Sequence, residues 1–152
     1  MLNEFELIRR YFMRPAHGAV LGVGDDAALV RVRRGMELVV SADMLVAGRH
    51  FFADADPEQL GHKALAVNLS DMAAMGATPR WATLALALPR ADPRWLTPFA
   101  GGFLRLARRY RVDLLYVRPI RAIQALFRPD MRHEETVILA IEPFPADVPG
   151  SG

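Results

Sequence analysis

The sequence predicts an α+β fold: a mixed sheet of about four strands with helices packed on one face. Three observations lead there. Strand and helix signals alternate in the order strand, strand, helix, strand, helix, strand, the pattern of a layered sheet-and-helix domain. Two aspartate–proline pairs, Asp56–Pro57 and Asp92–Pro93, mark helix starts. Short apolar runs such as TLALAL, bounded by turn residues, read as buried strands. At 152 residues, 52% hydrophobic and 24% charged, the chain has the size and composition of one globular domain.

Element by element, Leu2, Phe5, Ile8 and Phe12 recur at helical spacing and predict an amphipathic helix that ends before Pro15. Residues 27–32 and 37–41 read as strands joined by a turn around residues 33–35. Asp56 is placed to cap a helix, Pro57 suits its first position and Gln59 completes a capping box. That helix should run to about Met75, with Gly76 as its stop. Residues 81–88 predict a buried strand, Asp92 and Pro93 open a further helix that ends near Tyr110, and residues 112–116 predict another strand. Beyond these, residues 118–128 read as a short helix and TVILAI at 136–141 as a strand. The expected organisation is one domain over residues 1–142 and a disordered, proline-rich tail over 143–152.

Composition removes several function classes. With no cysteine there is neither a disulfide framework nor a thiolate metal site. No apolar run reaches the roughly 18 residues of a membrane span. Glu4, Glu6, Arg9 and Arg10 interrupt the start of the chain, so no signal peptide is read there and the expected compartment is the cytoplasm. The net charge is +2, and nearly all the positive charge is arginine, with Lys63 the single lysine. The densest group, Arg105, Arg108, Arg109 and Arg111, reads as a solvated helix face, and no pattern for nucleic-acid binding appears.

Three acidic positions carry the candidate chemistry. Asp25 and Asp26 sit side by side in GVGDDAALV, Asp43 follows the apolar run in VVSADMLV, and Asp71 lies in NLSDMAAMGA. Each also has an ordinary reading, as a turn, a strand end and a solvated helical residue respectively. Gly61, Ala64, Asn68 and Asp71 recur at spacings of three and four, a helical stripe on which small residues would admit a ligand and Asn68 and Asp71 would offer oxygen. Carboxylates on separate elements, without histidine or cysteine partners, suit Mg²⁺ and a nucleotide better than zinc. His50, in AGRHFF, is a candidate substrate contact.

Five segments, EFELIRRYF, GVGDDAALV, LVVSADMLVAGRHF, DPEQLGHKALAVNLSDMAAMGATPRW and TLALALP, occur in that order. Together they resemble the N-terminal domain of the bacterial thiamine-monophosphate kinases, within the aminoimidazole ribonucleotide synthetase and selenophosphate synthetase superfamily. The likeness spans about residues 3–114. It implies that superfamily's N-terminal fold and Mg²⁺-dependent transfer of the ATP γ-phosphoryl group to thiamine monophosphate. It also implies a homodimer formed through the N-terminal sheet. By the same resemblance Asp26, Ser41, Asp43 and Asp71 would ligate the metal. Asp25 and Asn68 would stand beside it as metal or nucleotide contacts, and His50 would meet thiamine monophosphate.

The sequence departs from the family in two places. Ala42 stands where the family usually has threonine. After Leu114 the family's Gly-Gly-Asp-Thr segment is replaced by LYVRPIRAIQALFRPDMRHEE, so residues 113–135 diverge. The family's C-terminal domain has no counterpart either. The resulting expectation is a truncated form with little or no activity alone. The alternatives are an inactive half-length dimerisation module, or a related ATP-dependent enzyme with another small-molecule substrate.

Overall fold

Asn3 and Glu6 open the first helix by capping each other. Glu6 N–H donates to Asn3 Oδ1 at 2.8 Å and Asn3 N–H to Glu6 Oε2 at 2.9 Å. The structure, a computed structural model, describes residues 3–25, 27–88, 91–119 and 133–142. Helix α1 (Glu4–Leu7) continues as a π-helical turn over Ile8–Phe12, which buries both Tyr11 and Phe12. The expected helix therefore exists and stops before Pro15.

The two aspartate–proline pairs act as read. Helix α2 (Pro57–Ala74) starts with Asp56 Oδ2 accepting from Gln59 N–H at 3.3 Å. Helix α3 (Pro93–Arg109) starts with Asp92 Oδ1 accepting from Arg94 N–H at 3.0 Å. Both helices end in the same double hydrogen bond. At α2, Gly76 N–H reaches Ala73 O and Ala77 N–H reaches Met72 O; at α3, Arg111 N–H reaches Arg108 O and Val112 N–H reaches Ala107 O. This motif places one residue in the left-handed region, here Gly76 at φ 68° and Arg111 at φ 56°.

Strands β1 (Glu37–Val46), β2 (Pro79–Ala87), β3 (Asp113–Pro119) and β4 (His133–Glu142) form one sheet in the order β1-β4-β2-β3. Strand β4 is antiparallel to β1 and β2, while β2 and β3 are parallel and joined through α3. The sheet is mixed and four-stranded, as expected. Helices α2 and α3 pack against each other over one face, and Phe12, Leu65, Met72, Leu84, Leu86 and Phe99 fill the space beneath them. A smaller cluster on the other face gathers Trp81 and Leu115 against Ala16, Ala28, Val30 and Met36.

Two expectations need correction. Residues 27–32 form no strand: an isolated bridge joins Leu21 to Leu29, with hydrogen bonds at 2.8–3.2 Å from residues 20, 21 and 29. The apolar alternation is real, because Ala28 and Val30 pack on the Trp81 cluster. Alternation without a continuous ladder, however, leaves the segment irregular. The expected helix at 118–128 also fails at its start, since residues 118 and 119 close β3; residues 120–128 and the tail at 143–152 lie outside the described residues. Elsewhere the strands are longer than read, most notably β1, which continues past Ser41 through Asp43 to Val46.

Candidate functional site

Alternation along β1 places Val39, Ser41, Asp43 and Leu45 toward the helices and Leu38, Val40, Ala42 and Met44 away from them. Helix α2 crosses the first set. Ser41 Oγ donates to Asp71 Oδ2 at 2.9 Å, tying the middle of β1 to the last turns of α2. Asp43 stands in the same group. Its carboxyl is held above the ordinary carboxylate range by partial burial, then by the charge of Asp71 and a hydrogen bond shared with it, while His50 pulls it down. The structure thus brings together Ser41, Asp43 and Asp71 from two elements.

These donors fit a hard cation. Two carboxylates and a hydroxyl are oxygen ligands, and the repulsion from Asp71 that adds to the effect of burial on Asp43 is what a divalent ion would relieve. Among the described residues no set of three histidine, cysteine, aspartate or glutamate side chains gathers as a ligand group. A magnesium ion needs fewer, since it keeps waters and takes substrate phosphates.

The other sequence-predicted positions fare differently. Asp26 lies outside the described residues. Asp25 is exposed at a short bridge with Val23. Gly24 beside it adopts φ 127°, and a Cβ on Gly22 would crowd that of Ala16 at 2.9 Å. Both glycines in GVGDD therefore have a backbone or packing reason.

Asn68 is fully buried; its Nδ2 donates to Ala64 O at 3.2 Å and its Oδ1 has no hydrogen-bond partner. Gly61 and Ala64 do not open toward a ligand. Gly61 faces α3, where an added Cβ would strike the Phe99 carbonyl, and Ala64 is buried in the core. The small-residue stripe is a helix contact that reaches solvent at Asp71.

His50 is exposed, and its Nδ1 accepts the Val46 N–H at 3.0 Å. In the neutral ring this leaves the proton on Nε2, free to donate outward. The loop is held by a residue that the motif reading passed over: Lys63 Nζ donates to His50 O at 2.7 Å. Its signal was its position as the single lysine, nearly two turns into a helix otherwise poor in charge.

The Asp43 shift has a testable consequence. Because its folded pKa is raised, the folded state holds the proton more tightly. Its contribution to stability is fully present below the unfolded pKa and lost as pH rises through the folded one. In chelator-treated buffer, Asp43→Asn should melt above the parent at neutral pH, and the difference should shrink on acidification. A variant that melts lower at neutral pH, or a difference independent of pH, would contradict the burial of Asp43 beside Asp71.

Residues 24–116 match the family described as AIR synthase related protein, N-terminal domain. The chain is 50% identical over 116 residues to thiamine-monophosphate kinase of Escherichia coli strain K12, which covers 74% of this chain and 36% of that protein. The crystal structure of thiamine-monophosphate kinase from Stenotrophomonas maltophilia K279a superposes with a TM-score of 0.69 at 38% identity, over 83% of this chain and 37% of that one. A structure described as AaThiL complexed with AMPPCP and TMP shares the fold at a TM-score of 0.62 and 23% identity, over 91% of this chain and 40% of that one. The chain spans little more than a third of the length of these relatives.

Proposed function

The chain belongs to the AIR synthase related proteins through their N-terminal domain, and from that premise we propose that it is the Mg²⁺–nucleotide-binding part of a thiamine-monophosphate kinase. The full reaction would move the γ-phosphoryl group of ATP to thiamine monophosphate and yield thiamine diphosphate. The observation that carries this reading is the Ser41–Asp71 hydrogen bond beside Asp43, inside the segment that is 50% identical to the Escherichia coli kinase. Magnesium would supply charge neutralisation on the phosphates. Ser41, Asp43 and Asp71 would hold it, with Asp26 completing the set and Asp25 close by. Asn68, being buried, serves the helix interior in this reading. His50 Nε2–H would donate to the phosphate of thiamine monophosphate.

In this proposal residues 1–142 form one domain of a cytoplasmic protein. No helix among the described residues is long and apolar enough to cross a membrane. Two copies would pair through the outward face of β1, where Val40 and Met44 are 56% and 54% exposed beside Leu38. That apolar row also favours a second reading, an inactive dimerisation module. The two readings separate on nucleotide binding, because the module would dimerise without it.

Thermal melting with and without ATP and Mg²⁺ tests the site. A ligand at a hundredfold excess over its Kd adds about 2.7 kcal/mol to the folded state. The parent should gain such an increment, and Asp71→Ala should lose most of it. No gain in the parent would remove the binding reading; equal gains in both would remove the assigned residues.

A further inference from the structure

Away from the carboxylates, at the end of the sheet where β2 and β3 begin, lies a cleft of about 1030 Å³. Arg14, Arg31, Arg33, Arg80, Arg108 and Arg111 line it. They come from four separate stretches of a chain whose net charge is only +2. None of the six is ion-paired with a carboxylate among the described residues. The single lining carboxylate, Asp113, is already engaged: its Oδ2 accepts the Gly18 N–H at 2.8 Å and pins Gly18 to the rim. The floor is apolar, with Trp81, Met36 and Leu104.

Six exposed like charges with no carboxylate partner among the described residues repel one another across the cleft, and a ligand that neutralises them would relieve that repulsion. The carbonyl end of α3 accounts for Arg108, in its last turn, as a partner of its dipole. It gives no reason for Arg14, Arg31, Arg33 or Arg80. Backbone strain adds an independent observation. Helices α2 and α3 end in the same motif; α2 has glycine at the left-handed position, whereas α3 has Arg111 there at φ 56°. A side chain kept where glycine is favoured points to a use for that side chain.

We propose that this cleft binds an organic polyphosphate without a metal ion, its phosphates gripped by the guanidinium rim and its apolar body resting on Trp81 and Met36. Guanidinium groups suit phosphate because they donate two parallel hydrogen bonds. The volume is that of a small-molecule pocket, larger than one phosphate requires. The site is separate from the proposed Mg²⁺ site and does not depend on it.

Titration calorimetry with ADP and with inorganic pyrophosphate, both in EDTA, tests the proposal. ADP should bind more tightly than pyrophosphate. Its affinity should fall about tenfold or more in Arg111→Gly and in Arg80→Ala, the loss of one charged hydrogen-bonding group. It should be unchanged in Asp71→Ala. Arg111→Gly should also melt above the parent, which separates lost binding from lost folding. The proposal is overturned by absent ADP binding in EDTA, by unchanged affinity in both arginine variants, or by a parallel loss in Asp71→Ala. Pyrophosphate binding as tightly as ADP would remove the apolar floor from it. A single-stranded oligonucleotide that binds where ADP does not would reassign the cleft to nucleic acid.

Discussion

Supplied with ATP, Mg²⁺ and thiamine monophosphate, a polypeptide of these 152 residues is expected to make little or no thiamine diphosphate. Phosphoryl transfer depends on positioning both substrates and on neutralising charge around the moving group, and loss of one such electrostatic contact costs about 10² to 10³ in rate. Where the family resemblance calls for Gly-Gly-Asp-Thr, this chain has Leu115, Tyr116 and Val117 in β3. Leu115 and Val117 are buried, so these positions offer apolar packing in place of a carboxylate. The chain also spans only 36% of the Escherichia coli relative, leaving most of that protein without a counterpart here. The two effects multiply to several orders of magnitude, even if Asp43 and Asp71 still gather Mg²⁺. A coupled assay for thiamine diphosphate measures this, and turnover like that of the relatives would mean that residues 118–135 supply what the missing segment does.

Helix boundaries were the most legible part of the fold, because their signals are local. Asp56 and Asp92 cap α2 and α3, and Gly76 ends α2, through contacts within a few residues. Strand limits depend on partners far away in sequence. Residues 27–32 alternate like a strand yet lack a ladder, while Asp43, beyond the strand expected to end at Ser41, lies inside β1. The acidic site was half legible. Asp43 and Asp71 stood out as carboxylates, but the bond that joins α2 to β1 through Ser41 is tertiary.

The stripe from Gly61 to Asp71 shows why periodicity misled. At 3.6 residues per turn its members spread over about 80° of the helix surface. Such an arc is wide enough for Gly61 to face α3, Asn68 the interior and Asp71 solvent. The arginine cleft was invisible for a different reason. Its members are scattered along the chain, and only folding gathers them.

The same stripe yields the largest expected effect on stability. Gly61 on α2 and Gly102 on α3 face each other across the helix crossing. A Cβ on Gly61 would strike the Phe99 carbonyl, and one on Gly102 would strike the Glu58 carbonyl. Both obstacles are backbone atoms, so no change of rotamer relieves them and the helices must separate. Gly61→Ala and Gly102→Ala should therefore each cost about 3 kcal/mol, the upper part of the range for overpacking. Once one alanine has pushed the helices apart, the second meets a wider gap, so the double variant should cost less than the sum. Gly101 is the control. It is the immediate neighbour of Gly102, but an added Cβ there meets only the far end of Arg105 at 3.9 Å. Gly101→Ala should stabilise by about 0.5–1 kcal/mol, because alanine is the better helix former. Urea denaturation of the four variants decides the matter. Additive costs at Gly61 and Gly102, or a destabilising Gly101→Ala as large as theirs, would show that the crossing does not depend on backbone contact at these two glycines.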